Sequence, residues 1–435
     1  MLILHYLGCV SQGVFLHILL MGLNHKTAPL EIREKFSFFG DGLTQALTEF
    51  RSYVPQGIIL STCNRTEVYV VTDSIEETKT TVLTFLSGFY DSDSINLWPY
   101  LYSSVDMDAV RHLFGVASGI DSMIVGEPQI LGQVRQALTA ASGSNKPGLT
   151  ISRLFHYALR AGRRVRDETS IGRHSLSVSF AGAKFAHSIV GDLSNSTVLL
   201  VGTGEVGRDI GRAISSLGVG NLNVSNRTLG RSKEIAAELK GSSIPFEKIW
   251  DALTDADVVI CSTNSPGHVF SKRNMVEILA KRGNRSLFVF DLAVPRDVDP
   301  AIGELDNVQL YNLDDLQNIV GKNKLNRQNS VCEAELIINQ EVERFDRWFS
   351  SLEAIPVIKR MKEEIETIRK TELEKALLRL PNLSFEETSI IERLSLSMVD
   401  KFMHKPIAAL KDPINPLHVE IMKKVYGIGL EGEDE

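Results

Sequence analysis

Short apolar runs and amphipathic runs follow one another along the first third of the chain. The apolar runs predict strands at 17–23, 57–61 and 67–72, and the amphipathic runs predict helices at 41–53, 76–89, 106–117 and 127–142. This mixture predicts an α+β unit of the βαβ type. A cluster of small and polar residues at 142–148 predicts where the unit ends.

The middle third has the pattern of a parallel sheet with helices on its faces. After a predicted helix at 149–168, apolar runs at 198–201, 257–262 and 287–292 predict buried strands, and residues 222–228 are predicted as the second strand of the unit. The chain is therefore predicted to be an α/β multidomain protein whose second part is a Rossmann-type domain.

The last part of the chain has a helical pattern only. Residues 323–379 are highly charged and contain no glycine, which predicts a very long helix with a kink at Pro356. Shorter helices are predicted at 384–403 and 415–426. One helix cannot bury the apolar stripe of the long run, so we expect a helical bundle that packs against a second copy of the chain. The stripe consists of Leu336, Val342, Phe345, Trp348, Phe349, Leu352, Ile355, Ile358, Met361, Ile365 and Ile368.

These patterns predict four segments. Residues 1–15 are expected to be an N-terminal extension, because this apolar stretch lacks the basic residues that begin a signal peptide. Residues 16–150 form the first domain, 151–320 a linker helix with the nucleotide-binding domain, and 321–435 the helical domain. No other stretch approaches the length needed to span a membrane.

A glycine-rich motif follows the strand at 198–201. It reads Gly202, Thr203, Gly204, Glu205, Val206 and Gly207, and an amphipathic helix is predicted at 208–217. Gly202 would permit a tight turn, Gly204 would let the backbone approach a pyrophosphate, and Gly207 would allow close packing of the helix on the strand. The motif predicts a dinucleotide site. The alternative is an ordinary strand–turn–helix connection.

The end of the next strand indicates which dinucleotide binds there. An NAD-specific site carries an acid about twenty residues after the glycines, whereas this chain has Ser225, Asn226, Arg227 and Thr228. A cation with hydroxyl neighbours suits a 2′-phosphate, which favours NADPH. Alternatively, Arg227 is only a solvated loop residue.

Composition limits the range of functions. The net charge of −7 argues against a generally basic nucleic-acid binder, so any RNA contact needs a local patch. Cys9, Cys63, Cys261 and Cys332 are far apart and show no metal-ligand spacing. This pattern fits a protein of the reducing cytoplasm that has no disulfide framework and no metal site built from cysteines.

The candidate nucleophile is Cys63, in the segment Ser61-Thr-Cys-Asn-Arg-Thr-Glu67. An apolar strand delivers this thiol to a polar turn, where Asn64 and Arg65 are expected to lower its pKa and produce thiolate. The alternative is a small buried hydrophobic residue, which a single cysteine often is.

A second polar group lies between Arg111 and Gln133. Gln129 and Gln133 share one helix face, Pro128 suits the first helical turn, and Glu127 lies beside the positive helix end. Such a face can hold the ammonium and carboxylate of an amino acid. It is equally compatible with a capped helix bearing solvated glutamines, and His112 with a core histidine.

A cluster of arginines lies between residues 150 and 175, where only Asp167 and Glu168 oppose it. Its density suits contacts with the phosphates of a nucleic acid, although a basic helix face can equally pair with acids of a neighbouring domain. The cluster consists of Arg153, Arg160, Arg163, Arg164, Arg166 and Arg173.

Six ordered motifs resemble those of the glutamyl-tRNA reductase family, from about residue 16 to the end. They are Gly22-Leu-Asn-His-Lys-Thr-Ala-Pro29, Ser61-Thr-Cys-Asn-Arg65, Gly126-Glu-Pro-Gln-Ile-Leu-Gly-Gln133, Gly202-Thr-Gly-Glu-Val-Gly207, Ser225-Asn-Arg-Thr228 and Asp291-Leu-Ala-Val-Pro-Arg296. The resemblance implies NADPH-dependent reduction of glutamyl-tRNA(Glu) to glutamate-1-semialdehyde, the first step of tetrapyrrole (porphyrin) synthesis by the five-carbon route. It also implies a homodimer held by the C-terminal helices.

The resemblance assigns roles to individual residues. Cys63 forms a thioester with the glutamyl group, the tRNA leaves, and hydride reduces the thioester. His112 is implied to be important for activity. The glutamyl group is surrounded by Thr62, Asn64, Arg65, Ser122, Glu127, Pro128, Gln129 and Gln133. The glycine loop holds the cofactor together with Ser225 and Arg227. The aminomutase that consumes the semialdehyde is a further partner to consider.

Two other functions remain open from the residues alone. A small-molecule NADP dehydrogenase of the shikimate type explains residues 170–320 but needs no cysteine turn. A non-catalytic nucleotide-sensing dimer explains the fold and the tail without chemistry. Thioester trapping on Cys63 distinguishes both from the reductase.

Overall fold

The computed structural model describes residues 16–38, 40–89, 96–143, 147–172, 178–320, 328–380, 382–410 and 417–426. The chain divides into two compact units, one of Ile18–Asn339 and one of Met1–His17 with Gln340–Glu435. The predicted extension at 1–15 lies outside the described residues, as does Arg173 of the arginine cluster.

The first region of the larger unit has strands and helices in mixed order. Its elements are β1 (His17–Asn24), α1 (Leu30–Arg33), α2 (Asp41–Tyr53), β2 (Gly57–Ser61), β3 (Arg65–Thr72), α3 (Ile75–Phe89), β4 (Tyr102–Val105), α4 (Asp106–Ser118) and α5 (Gln129–Gly143). The sheet order is β2-β3-β1-β4. The predicted α+β class is confirmed, and β4 is a strand that the pattern did not predict.

Two central strands, β1 and β3, approach closely, and this explains the glycine that begins the motif Gly22–Pro29. A Cβ on Gly22 of β1 would lie 2.6 Å from the carbonyl oxygen of Thr66 on β3. Only glycine fits this contact without displacing the backbone. The two strands are buried along almost their whole length, and the end of β3 that follows the cysteine turn is therefore held rigidly.

The second region is a doubly wound parallel sheet. Its elements are α6 (Leu149–Glu168), α7 (Val178–Val190), β5 (Thr197–Val201), α8 (Glu205–Ser216), β6 (Asn221–Asn226), α9 (Leu229–Glu238), β7 (Ser242–Pro245), α10 (Ile249–Asp255), β8 (Val258–Cys261), α11 (Lys272–Arg282), β9 (Leu287–Asp291), β10 (Val308–Asn312) and α12 (Leu313–Val320). The strand order is β10-β9-β8-β5-β6-β7. The order reverses between β5 and β8, and a crevice at the carboxyl ends of these strands is where Rossmann folds bind ligands.

The two regions share a hydrophobic core. Leu30 and Ile124 of the first region are buried in the same cluster as Leu292 and Leu313 of the second, and Cys63 packs against this cluster. The cysteine turn therefore lies against the nucleotide-binding region within one compact unit.

The smaller unit is helical. It contains most of α13 (Gln328–Leu378), together with α14 (Phe385–Leu410) and α15 (Leu417–Val425), and Pro356 lies inside α13. Val357, Met361, Met403 and Val419 belong to its core, which confirms the predicted packing of the shorter helices on the long one. No helix in the described part of the chain combines the length and the apolar character needed to cross a bilayer.

Candidate active site

The cysteine lies in a tight turn that joins β2 to β3. The hydroxyl of Thr62 accepts hydrogen bonds from the backbone N–H groups of Asn64 (3.1 Å) and Arg65 (3.2 Å). The backbone N–H of Thr62 donates to the carbonyl of Arg65 at 2.8 Å, and that of His25 donates to the carbonyl of Asn64 at 2.9 Å. The polar side chains around Cys63 thus define the conformation of the turn.

Below the turn lies a carboxylate that is fully enclosed. Glu67 on β3 is 0% exposed and accepts hydrogen bonds from Arg65 Nη1 (2.6 Å), Tyr69 Oη (2.6 Å) and Tyr102 Oη (2.5 Å). His112 Nε2 lies 2.8 Å from the same carboxylate. The interactions with Arg65 and His112 outweigh burial and hold the pKa of Glu67 below its usual range. The carboxylate therefore fixes both Arg65 and His112.

Arg65 also reaches the loop that follows α4. Its Nη2 donates to the carbonyl of Asp121, whose carboxylate lies 3.4 Å from Arg65 Nη1. Lys26 pairs with the same carboxylate. The guanidinium is buried, with 2% of its residue exposed, and two carboxylates balance its charge.

The expectation that neighbouring groups lower the pKa of Cys63 is wrong for this structure. Burial and the nearby Glu127 raise the pKa of Cys63 to about 12, against the opposing influence of Arg33 and Arg65. Arg65 has little effect on the thiol because its charge is already paired with Glu67. Cys63 is consequently a neutral thiol in this conformation.

The second polar constellation lies in the loop between α4 and α5. Glu127 is 6% exposed, and burial raises its pKa although Ser122, Arg65 and Arg166 oppose this. The structure thus brings Ser122, Glu127 and Arg65 together with Cys63. Gly126 enables the loop, because its φ of +84° and the carbonyl of Ile171, 2.9 Å from where a Cβ would lie, both favour glycine.

The helix that follows begins two residues later than predicted, at Gln129 rather than at residue 127. α5 starts at Gln129, so Pro128 precedes the first helical residue and is exposed. Gln129 and Gln133 are both half-buried on this helix. The Nε2 of Gln129 is buried and has no hydrogen-bond partner among the described residues. An unpaired buried amide is costly unless a ligand satisfies it.

The arginine cluster divides between two orientations. Arg166 is half-buried and donates to the carbonyl of Glu127 at 2.5 Å, and Arg164 pairs with Glu168 within α6. Arg153, Arg160 and Arg163 are exposed on the same helix. Arg166 therefore holds the loop that carries Glu127, and Arg153, Arg160 and Arg163 face solvent.

The glycine loop has the geometry expected of a tight dinucleotide-type turn. Gly202 has a φ of +104°, and a Cβ on Gly207 would lie 2.2 Å from the carbonyl oxygen of Gly202. These values confirm the predicted turn and close packing. By contrast, a Cβ on Gly204 would meet nothing within 4 Å. α8 begins at Glu205, earlier than predicted; its side chain is outside the described part, and Val206 is half-buried.

A cavity of about 230 Å³ opens beside this loop. Arg227 lines the cavity, and so does Arg231, which was not among the predicted cofactor-binding residues. The hydroxyls of Thr203, Ser225 and Ser262 are buried without a partner among the described residues. The predicted cofactor residue Ser225 is fully buried and is not among the residues that line the cavity; its carbonyl accepts a hydrogen bond from the N–H of Gly202 at 3.0 Å. No carboxylate occurs among the described residues that line this cavity.

Several residues of the two sites were missed. Glu67, Tyr69 and Tyr102 were not selected, although Arg65, Glu67 and Tyr69 alternate along β3 and so share one face. Asp297 was also missed; it is fully buried and accepts the backbone N–H of Thr263 at 2.7 Å at the cavity wall. No sequence signal indicated this contact, which spans 34 positions.

A Rossmann sheet with a glycine loop, next to a domain that presents a cysteine turn, is the architecture of a nucleotide-dependent oxidoreductase. Family models agree with this class along the chain. Residues 21–169 match the glutamyl-tRNAGlu reductase N-terminal domain, 184–319 match shikimate / quinate 5-dehydrogenase, and 333–428 match the glutamyl-tRNAGlu reductase dimerisation domain.

Full-length relatives identify the family. A glutamyl-tRNA reductase from Thermodesulfovibrio yellowstonii is 39% identical over 427 residues, which cover 96% of this chain and 100% of the relative. One from Pelobacter propionicus is 39% identical and covers 97% of this chain and 98% of the relative. A solved glutamyl-tRNA reductase from Methanopyrus kandleri is 27% identical, with a TM-score of 0.49 and coverage of 94% and 99%. The chain belongs to the glutamyl-tRNA reductase family and is an oxidoreductase.

The shikimate-type alternative is correct for the fold of residues 184–319 alone. It leaves the matches on either side unexplained. The nucleotide-binding region, with its glycine loop, indicates a nicotinamide nucleotide cofactor.

Proposed function

We propose that this protein reduces the glutamyl group of glutamyl-tRNA(Glu) to glutamate-1-semialdehyde, with NADPH as reductant and release of the tRNA. This is the first step of tetrapyrrole synthesis by the five-carbon route. The observation that carries the proposal is the cysteine turn, in which Cys63 lies between buried polar side chains and the nucleotide-binding region. Full-length similarity to glutamyl-tRNA reductases supports the substrate.

Buried polar groups next to Cys63 support recognition of the glutamyl group. The carboxyl of Glu127 is nearly enclosed and suits an ammonium group, while the free amide of Gln129 suits a carboxylate. Nδ1 of His25, whose backbone holds the turn, is likewise buried without a partner among the described residues. Burial and the neighbouring cations lower the pKa of His25 to about 4, so it is neutral at pH 7.

The chemistry we propose starts at Cys63 Sγ. The sulfur bonds to the ester carbonyl carbon, the bond from that carbon to the ribose oxygen of tRNA breaks, and the thiol proton ends on that oxygen. Reduction then breaks the C–S bond, since hydride adds to the carbonyl carbon and a proton returns to sulfur. His112 is held by Glu67 and is therefore positioned rather than mobile during these steps.

The cavity beside the glycine loop fits NADPH, which supplies the hydride when it is bound. The free space at Gly204 suits the pyrophosphate, and partnerless hydroxyls offer donors to it. Arg227 and Arg231 suit a 2′-phosphate, which distinguishes NADPH from NADH.

Three partners, two of them proteins and one a nucleic acid, follow from the same proposal. The helical unit exposes large apolar side chains, Phe385 and Phe402 among them, which suits packing against a second copy, as the dimerisation-domain match supports. The exposed Arg153, Arg160 and Arg163 suit tRNA phosphates. The aminomutase that takes the semialdehyde is proposed as the protein that receives the product.

Replacement of the nucleophile tests the proposal. Cys63→Ser should lower semialdehyde formation from glutamyl-tRNA and NADPH by at least about 10³-fold and abolish covalent capture of labelled glutamate, because a hydroxyl ionises far less readily than a thiol. The control is Cys332→Ser, which removes an exposed cysteine and should leave turnover unchanged. Near-normal turnover in Cys63→Ser would refute the thioester route.

A further inference from the structure

A buried arginine outside the predicted site residues contacts the cysteine turn. Arg33, in the short helix α1, is 2% exposed. Its Nη1 donates to the carbonyl of Cys63 and to Oδ1 of Asn64, both at 3.1 Å, and its Nε donates to the carbonyl of Ala28 at 3.2 Å. Arg33 therefore holds the backbone of the nucleophile itself.

The remaining nitrogen of Arg33 points to the other region. Nη2 forms an ion pair with Asp314, which lies in the first turn of α12 directly after β10. Asp314 is itself fixed, since its N–H donates to Oδ1 of Asn312 at 2.8 Å. One guanidinium thus joins the cysteine turn to the edge of the nucleotide-binding sheet.

A second ion pair joins the two regions with the charges reversed. Arg296 of the nucleotide-binding region donates through Nη2 to Glu34 Oε1 at 2.6 Å and through Nε to Glu34 Oε2 at 3.0 Å. Its Nη1 lies 3.1 Å from Glu31 Oε1. Glu31 and Arg33 lie in α1 and Glu34 directly follows it, so α1 and its C-terminal residue carry both contacts.

These contacts surround an apolar interface that contains the thiol. Cys63 packs against the cluster that includes Leu292 and Leu313 of the nucleotide-binding region. Cys63 is only partly buried there, so the contact narrows the approach of a bulky ester to the sulfur without enclosing the thiol. Separation of the two regions would therefore widen access to the sulfur.

We propose that α1 is an interdomain latch in which Arg33 is a positioning residue and the Arg296–Glu34 pair is the clasp. When the latch is closed, the nucleotide-binding region partly covers Cys63, and Arg33 fixes the turn for reduction. When it is open, the thiol is accessible for capture of the ester. The purpose given to the latch rests on the proposed function, whereas the latch itself is testable without tRNA or NADPH.

Alkylation of Cys63 by iodoacetamide measures the latch directly. The full-length protein is treated without tRNA or NADPH, and the Cys63 peptide is quantified by mass spectrometry over time. Arg296→Gln and Asp314→Asn should each raise the alkylation rate at pH 8 about two- to five-fold, the range for loss of a partly exposed ion pair. The matched control is Arg285→Gln, which breaks the Arg285–Asp257 pair inside the nucleotide-binding region and should leave the rate unchanged.

The pH profile separates opening of the latch from general loosening of the fold. In the latch variants, the alkylation rate should level off at a lower pH than in the wild type, because a less enclosed thiol ionises more readily. Glu127 still opposes ionisation, while Arg33 and Arg65 still favour it, so the difference reports burial. Unfolding midpoints of the variants should match that of the control.

Charge reversal and a conservative variant complete the test. Arg296→Glu should raise the alkylation rate, and the double variant Arg296→Glu/Glu34→Arg should restore it. Arg33→Lys keeps the charge but cannot contact Cys63, Asn64 and Asp314 at once, so it should slow reduction of a preformed glutamyl thioester more than it slows capture. Alkylation rates in Arg296→Gln and Asp314→Asn equal to wild type would overturn the latch, even with full reductase activity. Inactivity towards glutamyl-tRNA with a responsive latch would instead refute the proposed function.

Discussion

Around Cys63 the charged side chains pair with one another, whereas the cavity beside the glycine loop leaves its polar groups without partners. Arg65 is neutralised by Glu67 and Asp121, and Glu67 also receives two tyrosine hydroxyls. In the cavity, the buried hydroxyls of Thr203 and Ser262 lack a partner among the described residues, and Arg227 and Arg231 border open space.

The two sites therefore differ in whether their polar groups are paired before a ligand binds. The cysteine site is organised before any substrate arrives, because its donors and acceptors already fix the geometry of the turn. The cavity keeps its donors for the ligand, and their desolvation is offset only when a ligand accepts them. A substitution in the first should therefore change stability as well as activity, whereas a substitution in the second should change mainly binding.

The largest effect should come from the carboxylate below the cysteine turn. Glu67→Gln leaves Arg65 buried without its main counter-charge and should lower the free energy of unfolding by about 3–5 kcal/mol. Guanidinium denaturation at pH 7 measures this. The matched control is Glu76→Gln, which breaks the exposed Lys79–Glu76 pair and should cost at most about 0.5 kcal/mol.

Glu67→Gln should also change how the free energy of unfolding depends on pH. The pKa of Glu67 is lower in the folded protein than in the unfolded chain, so its contribution is present above about pH 4.5 and is lost as the pH falls. Wild type should therefore lose stability towards acid pH more steeply than Glu67→Gln. Parallel curves for the two proteins would show that the pKa of Glu67 is the same in the folded protein and in the unfolded chain.

The elements of regular structure were predictable where burial imposes a period. The strands β1, β2, β5, β8 and β9 and the long helix α13 follow from apolar runs of the right length, because their side chains lie in the core. β4 was not predictable. Its four residues are half-buried or exposed, so Tyr-Ser-Ser-Val carries no alternation, and it forms because β1 offers it an edge.

The candidate site was predictable only where local sequence defines it. The glycine loop and the cysteine turn are short-range features, and their geometry follows from neighbouring residues. The role of Arg33 was not predictable, because a charged residue in a short helix is ordinarily exposed. Its partner Asp314 also lies 281 positions away. The raised pKa of Cys63 also depends on long-range burial, which no local motif contains.

The second largest effect is expected on the preference for NADPH over NADH. Arg227→Ala should weaken NADPH binding by about 1.5–3 kcal/mol and NADH binding much less, because only NADPH carries the 2′-phosphate. Fluorescence titration with both nucleotides measures the difference, and Arg231→Ala should act in the same direction because it borders the same cavity. Equal losses for both nucleotides would assign Arg227 a structural role.

The smallest effect on stability is expected for Gly204→Ala. A comparison with Gly207, three positions later, tests the contrast between the cavity and the rest of the fold. Gly204 has a φ of −64°, and an added Cβ meets nothing within 4 Å, so Gly204→Ala should fold normally and gain about 0.4–1 kcal/mol from the stiffer unfolded chain. The methyl would nevertheless occupy space next to the cavity, and NADPH binding should weaken at least about tenfold if the pyrophosphate lies there. Gly207→Ala is the matched variant, because its Cβ would lie 2.2 Å from the carbonyl oxygen of Gly202 and should destabilise the fold itself. A Gly204→Ala protein that binds NADPH as tightly as wild type would place the pyrophosphate away from this loop.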